Sequence, residues 1–395
     1  MNDKQNIVNT ILFDIINPQF YSNDQNRILY ETLGLGEYLL KKIISSKRAF
    51  RRGPIPNNEM NIDLHRKILS CIQRNEPISF SVPFGAYKGW QTNSAGEPDW
   101  AEVFNLNYFY LYASEIAEYY EPGVNITYTY QDRILPVISN LSKNVCEIYI
   151  RKFNKLTDLF SSFNPRITFN SLSIDSLYPN LDEYYQEFLE NVFENMIEIV
   201  DSLYSNSSDS LPYRKYIDLF MSNEINEANK LVQSRPSSAF AKLQSGMNNY
   251  NFRGYDAKSS CINENTKTKI IRSIISALMI DAIDSLKLRR KFNKYSNNIQ
   301  IVFDKTPNFS LFLGSCRESV KHFWTGTGGM IYKENKNVFK PIILSQKEWV
   351  SIQQGDKIKL NGETFDSKYF VEQIPVNTEL SLISENYNNI NVIFK

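Results

Sequence analysis

The chain has 395 residues, of which 42% are hydrophobic and 22% are charged. This composition excludes wholesale disorder and allows a large core, in one elaborated domain or in several. A formal net charge of +1 argues against a broad basic face, so we expect no nucleic-acid partner.

The N-terminal segment MNDKQNIVNTILFDIINPQF lacks the basic start, long apolar core and small-residue cleavage site of a signal peptide. No window approaches the roughly 18 apolar residues that a membrane span requires. The 4 cysteines lie far apart and form no CxxC pair, which is typical of cytosolic proteins. We therefore expect a cytoplasmic protein without a membrane partner.

Histidine is scarce, since only His65 and His322 are present. A metal site built on several imidazoles is therefore not expected, and neither is most Ser-His-Asp or Cys-His chemistry. Acid and base catalysis would fall to Asp, Glu, Lys, Tyr or bound water, and we predict no metal site.

A strand–helix–strand pattern follows a helical N-terminal extension, residues 1–75. ISFSVPF (78–84) alternates and is rich in β-formers, which predicts a strand. Residues 99–120 have apolar positions at helical spacing and end at Pro122-Gly123, a helix stop. VNITYTY (124–130) predicts a second strand. The pattern indicates a βαβ unit with parallel strands and a right-handed crossover.

The rest of the chain is mostly helical up to residue 292 and rich in β-formers after Asn298. IQIVF and FSLFLG flank DKTPN, which predicts a hairpin. MIYKEN and FKPIILS predict further strands. The expected fold class is α/β, a Rossmann-like mixed sheet with a parallel βαβ core. Its expected parts are an N-terminal extension (1–75), a catalytic core (76–350) and a small β-rich C-terminal appendage (351–395).

The candidate site lies where the two predicted strands end. In an open parallel sheet, ligands bind beyond the carboxyl ends of the strands, near the N-termini of the crossover helices. The first strand leads to Lys88 and the second to Asp132, and parallel pairing places both at one edge. Lys88 and Asp132 can then meet over one crevice, beside the helix start at Asp99.

Each residue near this crevice also has a structural interpretation. Asp99 with Glu102 fits D-x-x-E, close to a capping box, and a capping carboxylate would work against a phosphate at that helix terminus. Lys88, on the loop GAYKGW, is either a solvated lysine or a substrate ligand or catalytic amine. Tyr87 and Trp90 either line a pocket or cover the sheet edge.

A glycine-rich run, WTGTGG (324–329), is a second candidate site. It lacks the Lys-Ser/Thr that follows the glycines of a phosphate loop. Nucleotide binding is therefore not supported by this run.

The segment from ISFSVPF to QDRIL resembles the pyoverdine/dityrosine biosynthesis family, the isocyanide (isonitrile) synthases. The shared order is an apolar strand with an aromatic/Lys loop, a Pro-Asp helix start, a Tyr-Pro-Gly-like stop and a strand that ends in Asp. Here these elements are VPFGAYK, EPDWAE, YYEPGV and QD. QSRPSSAFAKL (233–243), HFWTGTGG and FKPIILS are more loosely similar to later parts of the family.

The resemblance implies a Rossmann-like enzyme that joins an amino acid's amine to the ketone of ribulose 5-phosphate, the co-substrate, with no metal or other cofactor. Lys88 would bind phosphate or carboxylate or polarise the ketone, Glu102 and Asp132 would transfer protons, and Arg235 would bind a second anion. Which amino acid is used and whether the chain forms a homodimer stay open. The alternatives are another amino-acid or sugar-phosphate transferase, or a non-catalytic small-molecule-binding or interaction protein. The remaining residues assigned to substrate binding are Tyr87, Trp90, Asp99 and Trp324.

Overall fold

The computed structural model describes about two fifths of the chain. The chain divides into two compact units. The first unit contains Met1–Gln131, Lys143–Ser173 and Arg290–Lys395, and the second contains Asp132–Ser142 and Ile174–Arg289. Of the second unit, only Asp132, Ile174, Asp175, Lys215, Glu227 and Lys230 are described. In the first unit the described residues are 10–15, 18, 23–45, 58–85, 98–131, 143–173, 297–302, 311–312, 323–333, 338–344, 358–360, 363–365, 370–372 and 393–394.

A five-stranded parallel sheet forms the centre of the first unit. Its strands are β1 (Ile78–Pro83), β2 (Val124–Tyr130), β3 (Ile167–Ser173), β4 (Ile299–Val302) and β5 (Leu311–Phe312). They lie in the order β3-β2-β1-β4-β5, and every neighbouring pair is parallel. The prediction of an α/β protein with a Rossmann-like parallel core is confirmed.

The predicted βαβ unit is present. β1 and β2 pair from Ile78↔Val124 to Pro83↔Thr129, and helix α4 (Trp100–Ala117) connects them. The helix stop works as expected: Gly123 has φ +80°, and a Cβ there would lie 2.0 Å from the carbonyl oxygen of Arg166. Only glycine allows this turn against the start of β3.

Helix α4, predicted from apolar positions at helical spacing, is buried on every side. All of its residues except Asn107 and Leu111 are buried. It contacts β2 and β3 of the parallel sheet as well as helices and two strands of another sheet. A helix that is apolar all round is typical of such a central position.

The remaining described helices surround this core. They are α1 (Asp24–Leu33), α2 (Leu35–Ser45), α3 (Asn58–Arg74) and α5 (Lys143–Ser162). Tyr38, Leu39 and Ile43 of α2 belong to the same hydrophobic cluster as the strands. The described N-terminal helices therefore pack into the core of the first unit.

An antiparallel sheet contains strands from the C-terminal part of the chain. Its strands are β6 (Thr327–Lys333), β7 (Val338–Leu344), β10 (Phe370–Glu372) and β11 (Ile393–Phe394), in the order β11-β10-β6-β7. A separate hairpin consists of β8 (Ile358–Leu360) and β9 (Glu363–Phe365). The residues described after 350 all lie in strands, and β10 pairs with β6.

The predicted hairpin of IQIVF and FSLFLG is wrong. β4 and β5 pair in parallel, with Ile301 opposite Leu311. The polar, proline-containing DKTPN suggested a tight turn, but β5 lies beside β4 and runs in the same direction. The helical prediction for residues 176–292 lies outside the described residues, apart from helical residues at 215, 227 and 230.

Candidate functional site

The order of the parallel strands defines a switch point between β1 and β4. The chain moves outward from β1 through β2 to β3, then returns to place β4 on the other side of β1. In such sheets ligands bind outside the carboxyl ends of the strands at this point. At this edge β1 ends at Pro83, and the N–H of Phe84 donates to the carbonyl of Thr129 at 3.1 Å.

Helix α4 begins at the same edge with a complete capping box. The carboxylate of Asp99, the N-cap residue, accepts a hydrogen bond from the N–H of Ala101 at 2.7 Å. In return, the Asp99 N–H donates to Oε2 of Glu102 at 2.7 Å. This confirms the capping-box interpretation of D-x-x-E. Because a carboxylate occupies this helix terminus, a phosphate is disfavoured there.

The second oxygen of Glu102 accepts a hydrogen bond inside the protein. The hydroxyl of Tyr149, on α5, donates to Oε1 of Glu102 at 2.8 Å, and both residues are 0% exposed. Burial raises the pKa of Tyr149 well above its ordinary value, and the nearby Glu102 carboxylate raises it further. Tyr149 therefore stays a hydrogen-bond donor at neutral pH.

The glycine-rich run contacts the start of α4. The N–H of Gly328, in β6, donates to Oδ1 of Asp99 at 3.3 Å. A Cβ at Gly328 would lie 2.4 Å from the nitrogen of Ala101 and 2.6 Å from Cβ of Trp100. The absence of a side chain at residue 328 thus lets the β6 backbone pack directly against the first turn of α4. The glycine-rich run and the helix start at Asp99 are therefore in direct contact.

An aromatic cluster fills the space beside this contact. Phe323, in a 3₁₀ turn at Phe323–Thr325, stacks on Phe84 and Phe153, each with ring centroids 6.0 Å apart. The half-buried Trp324 meets Phe323 edge to face at 5.1 Å. Trp324, assigned to substrate binding, therefore lies near the carboxyl end of β1, next to Phe323.

The other predicted site residues are only partly described. Asp132 is half-buried and follows the last residue of β2 by two positions, in the second unit. Its role in proton transfer stays a prediction. The predictions for the other four fall outside the described residues: Tyr87, Lys88, Trp90 and Arg235.

The sequence did not single out Tyr149 or the contact of Gly328. Tyr149 occupies one apolar position among several in an amphipathic helix, so nothing distinguishes it from an ordinary core residue. Gly328 belongs to a visible glycine run, but the sequence carries no signal for the helix against which it packs.

Two general properties of the described residues complete the site. No described helix has the length and apolar character needed to span a bilayer. Within the described ranges, no group of three or more His, Cys, Asp or Glu side chains could hold a metal ion.

Comparison with known proteins gives a likeness at the level of fold. No family model and no curated protein matches the sequence. Among solved structures, the chain is similar to the crystal structure of the PvcA protein from Pseudomonas aeruginosa, with a TM-score of 0.50 and 15% identity. The likeness covers 84% of this chain and 98% of that chain. It shows that the two chains share a fold over most of their length.

Proposed function

We propose that the protein is an isonitrile-synthase-like enzyme that condenses the amine of an amino acid with ribulose 5-phosphate. The observation that carries this proposal is the convergence of separate motifs at one sheet edge. The strand end at Phe84 and the capped helix start at Asp99 belong to the segment that resembles the isonitrile synthases. Gly328 and Phe323, from a distant part of the same resemblance, pack directly against them.

The proposed reaction begins with attack of the amine on the ketone of the sugar phosphate, which loses water to form an imine. Both C–C bonds of the former ketone carbon then break: C1 leaves at the oxidation level of formaldehyde, and C3–C5 leave as a three-carbon fragment that loses its phosphate. The former ketone carbon stays on nitrogen as the isonitrile carbon. Carboxylates suit the proton transfers and cations suit the phosphate and the amino acid's carboxylate.

We propose the following division of these roles among the candidate residues. Since the carboxylate of Asp99 occupies the start of α4, the phosphate requires side-chain cations, for which Lys88 and Arg235 are the candidates. Both oxygens of Glu102 accept hydrogen bonds in the protein interior, so its contacts are those of a helix cap. We therefore propose Asp132, in preference to Glu102, as the residue that transfers protons.

The test is a reconstitution with purified protein, a panel of amino acids and ribulose 5-phosphate labelled with ¹³C at the ketone carbon. We expect one amino acid to yield an isonitrile that carries the label, detected by mass spectrometry, together with phosphate. Consumption of ribulose 5-phosphate without an isonitrile would instead show a different transferase. Thermal stabilisation by the substrates without turnover would show a binding protein.

Asp132→Asn provides the site-specific test. The variant should melt like the wild type and lose turnover by about 100-fold or more, the contribution of a general acid–base group. Asp158→Asn, an exposed carboxylate on α5, is the matched control and should keep full activity. Equal activity of both variants would contradict the role of Asp132.

A further inference from the structure

Tyr149 connects helix α5 to the first turn of α4. Its hydroxyl donates to Oε1 of Glu102 at 2.8 Å. In a capping box at a protein surface, water can donate to this second carboxylate oxygen. Glu102 has no exposed surface, and the Tyr149 hydroxyl is the donor in the position that water would otherwise occupy.

The connection continues from Glu102 to the antiparallel sheet. The other oxygen of Glu102 accepts the N–H of Asp99 at 2.7 Å. Oδ1 of Asp99 in turn accepts the N–H of Gly328 in β6 at 3.3 Å. Three elements that are distant in sequence, α5, α4 and β6, are thus joined through two buried carboxylates at the start of α4.

We propose that Tyr149 is a positioning residue, which acts through Glu102 to fix Asp99 and the packing of β6 on α4. The start of α4 lies beside the carboxyl end of β1, where the candidate site is. Loss of the hydroxyl therefore lets the first turn of α4 and the contact with β6 move. The expected effect on catalysis rests on the proposed function, whereas the structural effect does not.

The structural effect is measured by amide hydrogen exchange in Tyr149→Phe. The amides to follow are those of Ala101 and Gly328, because both donate to Oδ1 of Asp99. We expect their exchange to accelerate by about ten-fold, the size of one lost hydrogen bond.

The matched control is Tyr120→Phe. Tyr120 is also buried, and its hydroxyl donates to the carbonyl of Glu76 at 2.6 Å, two residues before β1 begins. It should destabilise the protein to a similar extent and leave exchange at Ala101 and Gly328 as in the wild type, because local opening of the first turn of α4 does not involve Tyr120. Equal acceleration in both variants, or none in Tyr149→Phe, would overturn the proposal.

The catalytic effect is measured as separate kcat and KM values in the reconstituted reaction. Tyr149→Phe should lower kcat by about 10- to 100-fold with a smaller change in KM, because displacement of a site by a distant mutation mainly affects alignment. Tyr120→Phe should keep the wild-type kcat. If the wild type makes no isonitrile, the proposed function fails, while hydrogen exchange still decides the role of Tyr149.

A double-mutant cycle tests whether Tyr149 acts through Glu102. In Glu102→Gln/Tyr149→Phe, kcat should be no lower than in the worse single variant, because both changes remove the same connection. Multiplicative losses would show that Tyr149 acts independently of Glu102 and would refute the proposed route.

Discussion

The backbone N–H of Gly328 donates to the carboxylate of Asp99 at 3.3 Å, although 229 positions separate the two residues in the sequence. The contact joins a strand of the antiparallel sheet to the first turn of the helix that connects β1 and β2. It explains why a glycine stands at position 328 of the glycine-rich run. The glycine provides the space for close backbone packing, and its amide adds a donor to the helix cap.

Gly328→Ala should be strongly destabilising. The added methyl group would lie 2.4 Å from the nitrogen of Ala101 and 2.5 Å from the carbonyl carbon of Trp100, both backbone atoms of α4. Such atoms cannot yield as a flexible side chain can, so we expect a loss of about 3 kcal/mol in the free energy of unfolding, or failure to fold. Urea unfolding followed by circular dichroism measures this change.

Gly36→Ala is the control for this substitution. A methyl group at Gly36 in α2 would meet its nearest side-chain atom, Cδ2 of Leu69, at an ordinary 3.5 Å. Since alanine is the better helix former, the variant should be unchanged or more stable by up to about 1 kcal/mol. A Gly328→Ala protein as stable as Gly36→Ala would contradict the packing of β6 on α4.

The local part of this arrangement could be predicted from sequence. The alternation in residues 78–84, the helical spacing in 99–120 and the Pro122-Gly123 stop each act over a few residues, and the structure confirms the elements they predict. The D-x-x-E cap is also local, because Asp99 and Glu102 lie on one helical turn. Parallel pairing then followed from the length of the crossover.

The long-range part could not be predicted. The direction of β5, the packing of Gly328 on α4 and the donor that Tyr149 supplies to Glu102 all depend on elements far apart in the chain. A turn-like segment such as DKTPN fits a hairpin and a loop between parallel strands equally well. Likewise, helix α4 is buried on every side. Its apolar pattern therefore does not indicate which face packs against the sheet.

Lys42→Met should destabilise the protein because it removes a largely buried cation. Nζ of Lys42 lies 3.4 Å from Oε2 of Glu115, and these side chains are only 13% and 4% exposed. The lysine also donates to Oδ1 of Asn26. Removing one partner of a buried pair leaves the other charge poorly compensated, so we expect a loss of about 3 kcal/mol, measured by urea unfolding.

Arg27→Met tests the same substitution type at the surface. The Arg27–Asp24 pair spans 3.6 Å, and its side chains are 59% and 90% exposed. Its loss should change stability by less than about 0.5 kcal/mol. Adding Glu115→Gln to Lys42→Met should recover part of the stability, since the opposing buried charge is then gone. A Lys42→Met protein as stable as Arg27→Met would mean that the buried pair contributes nothing.

Asp99→Ala should lower stability by about 2 kcal/mol, the upper range for an N-cap, because its carboxylate is buried and also accepts from Gly328. Asp99→Asn keeps an acceptor oxygen and should lose much less. Asn23→Ala, which removes the N-cap of α1, should cost about 1 kcal/mol because that cap is not buried. Thermal denaturation of the three variants gives the ranking. Asp99→Ala with unchanged stability and abolished substrate binding would make Asp99 a ligand instead of a cap.

Lys88→Ala should affect activity and leave stability nearly unchanged. The residue follows β1 in the sequence GAYKGW, between two glycines, and the resemblance assigns it to phosphate, carboxylate or the ketone. Because Asp99 occupies the helix terminus, the sugar phosphate has greater need of such a cation. Charge-assisted hydrogen bonds to an anion contribute roughly 1.5–3 kcal/mol, so kcat/KM should fall by about 10- to 100-fold. The free energy of unfolding should change by no more than about 0.5 kcal/mol, the range of surface substitutions.

Lys88→Arg should restore activity only in part, since a planar guanidinium does not replace a compact ammonium. Lys155→Ala, at an exposed position of α5, should be indistinguishable from the wild type. If Lys88→Ala also keeps wild-type turnover and affinity, the reacting centre lies elsewhere, and Trp324 beside the glycine-rich run becomes the first residue to substitute.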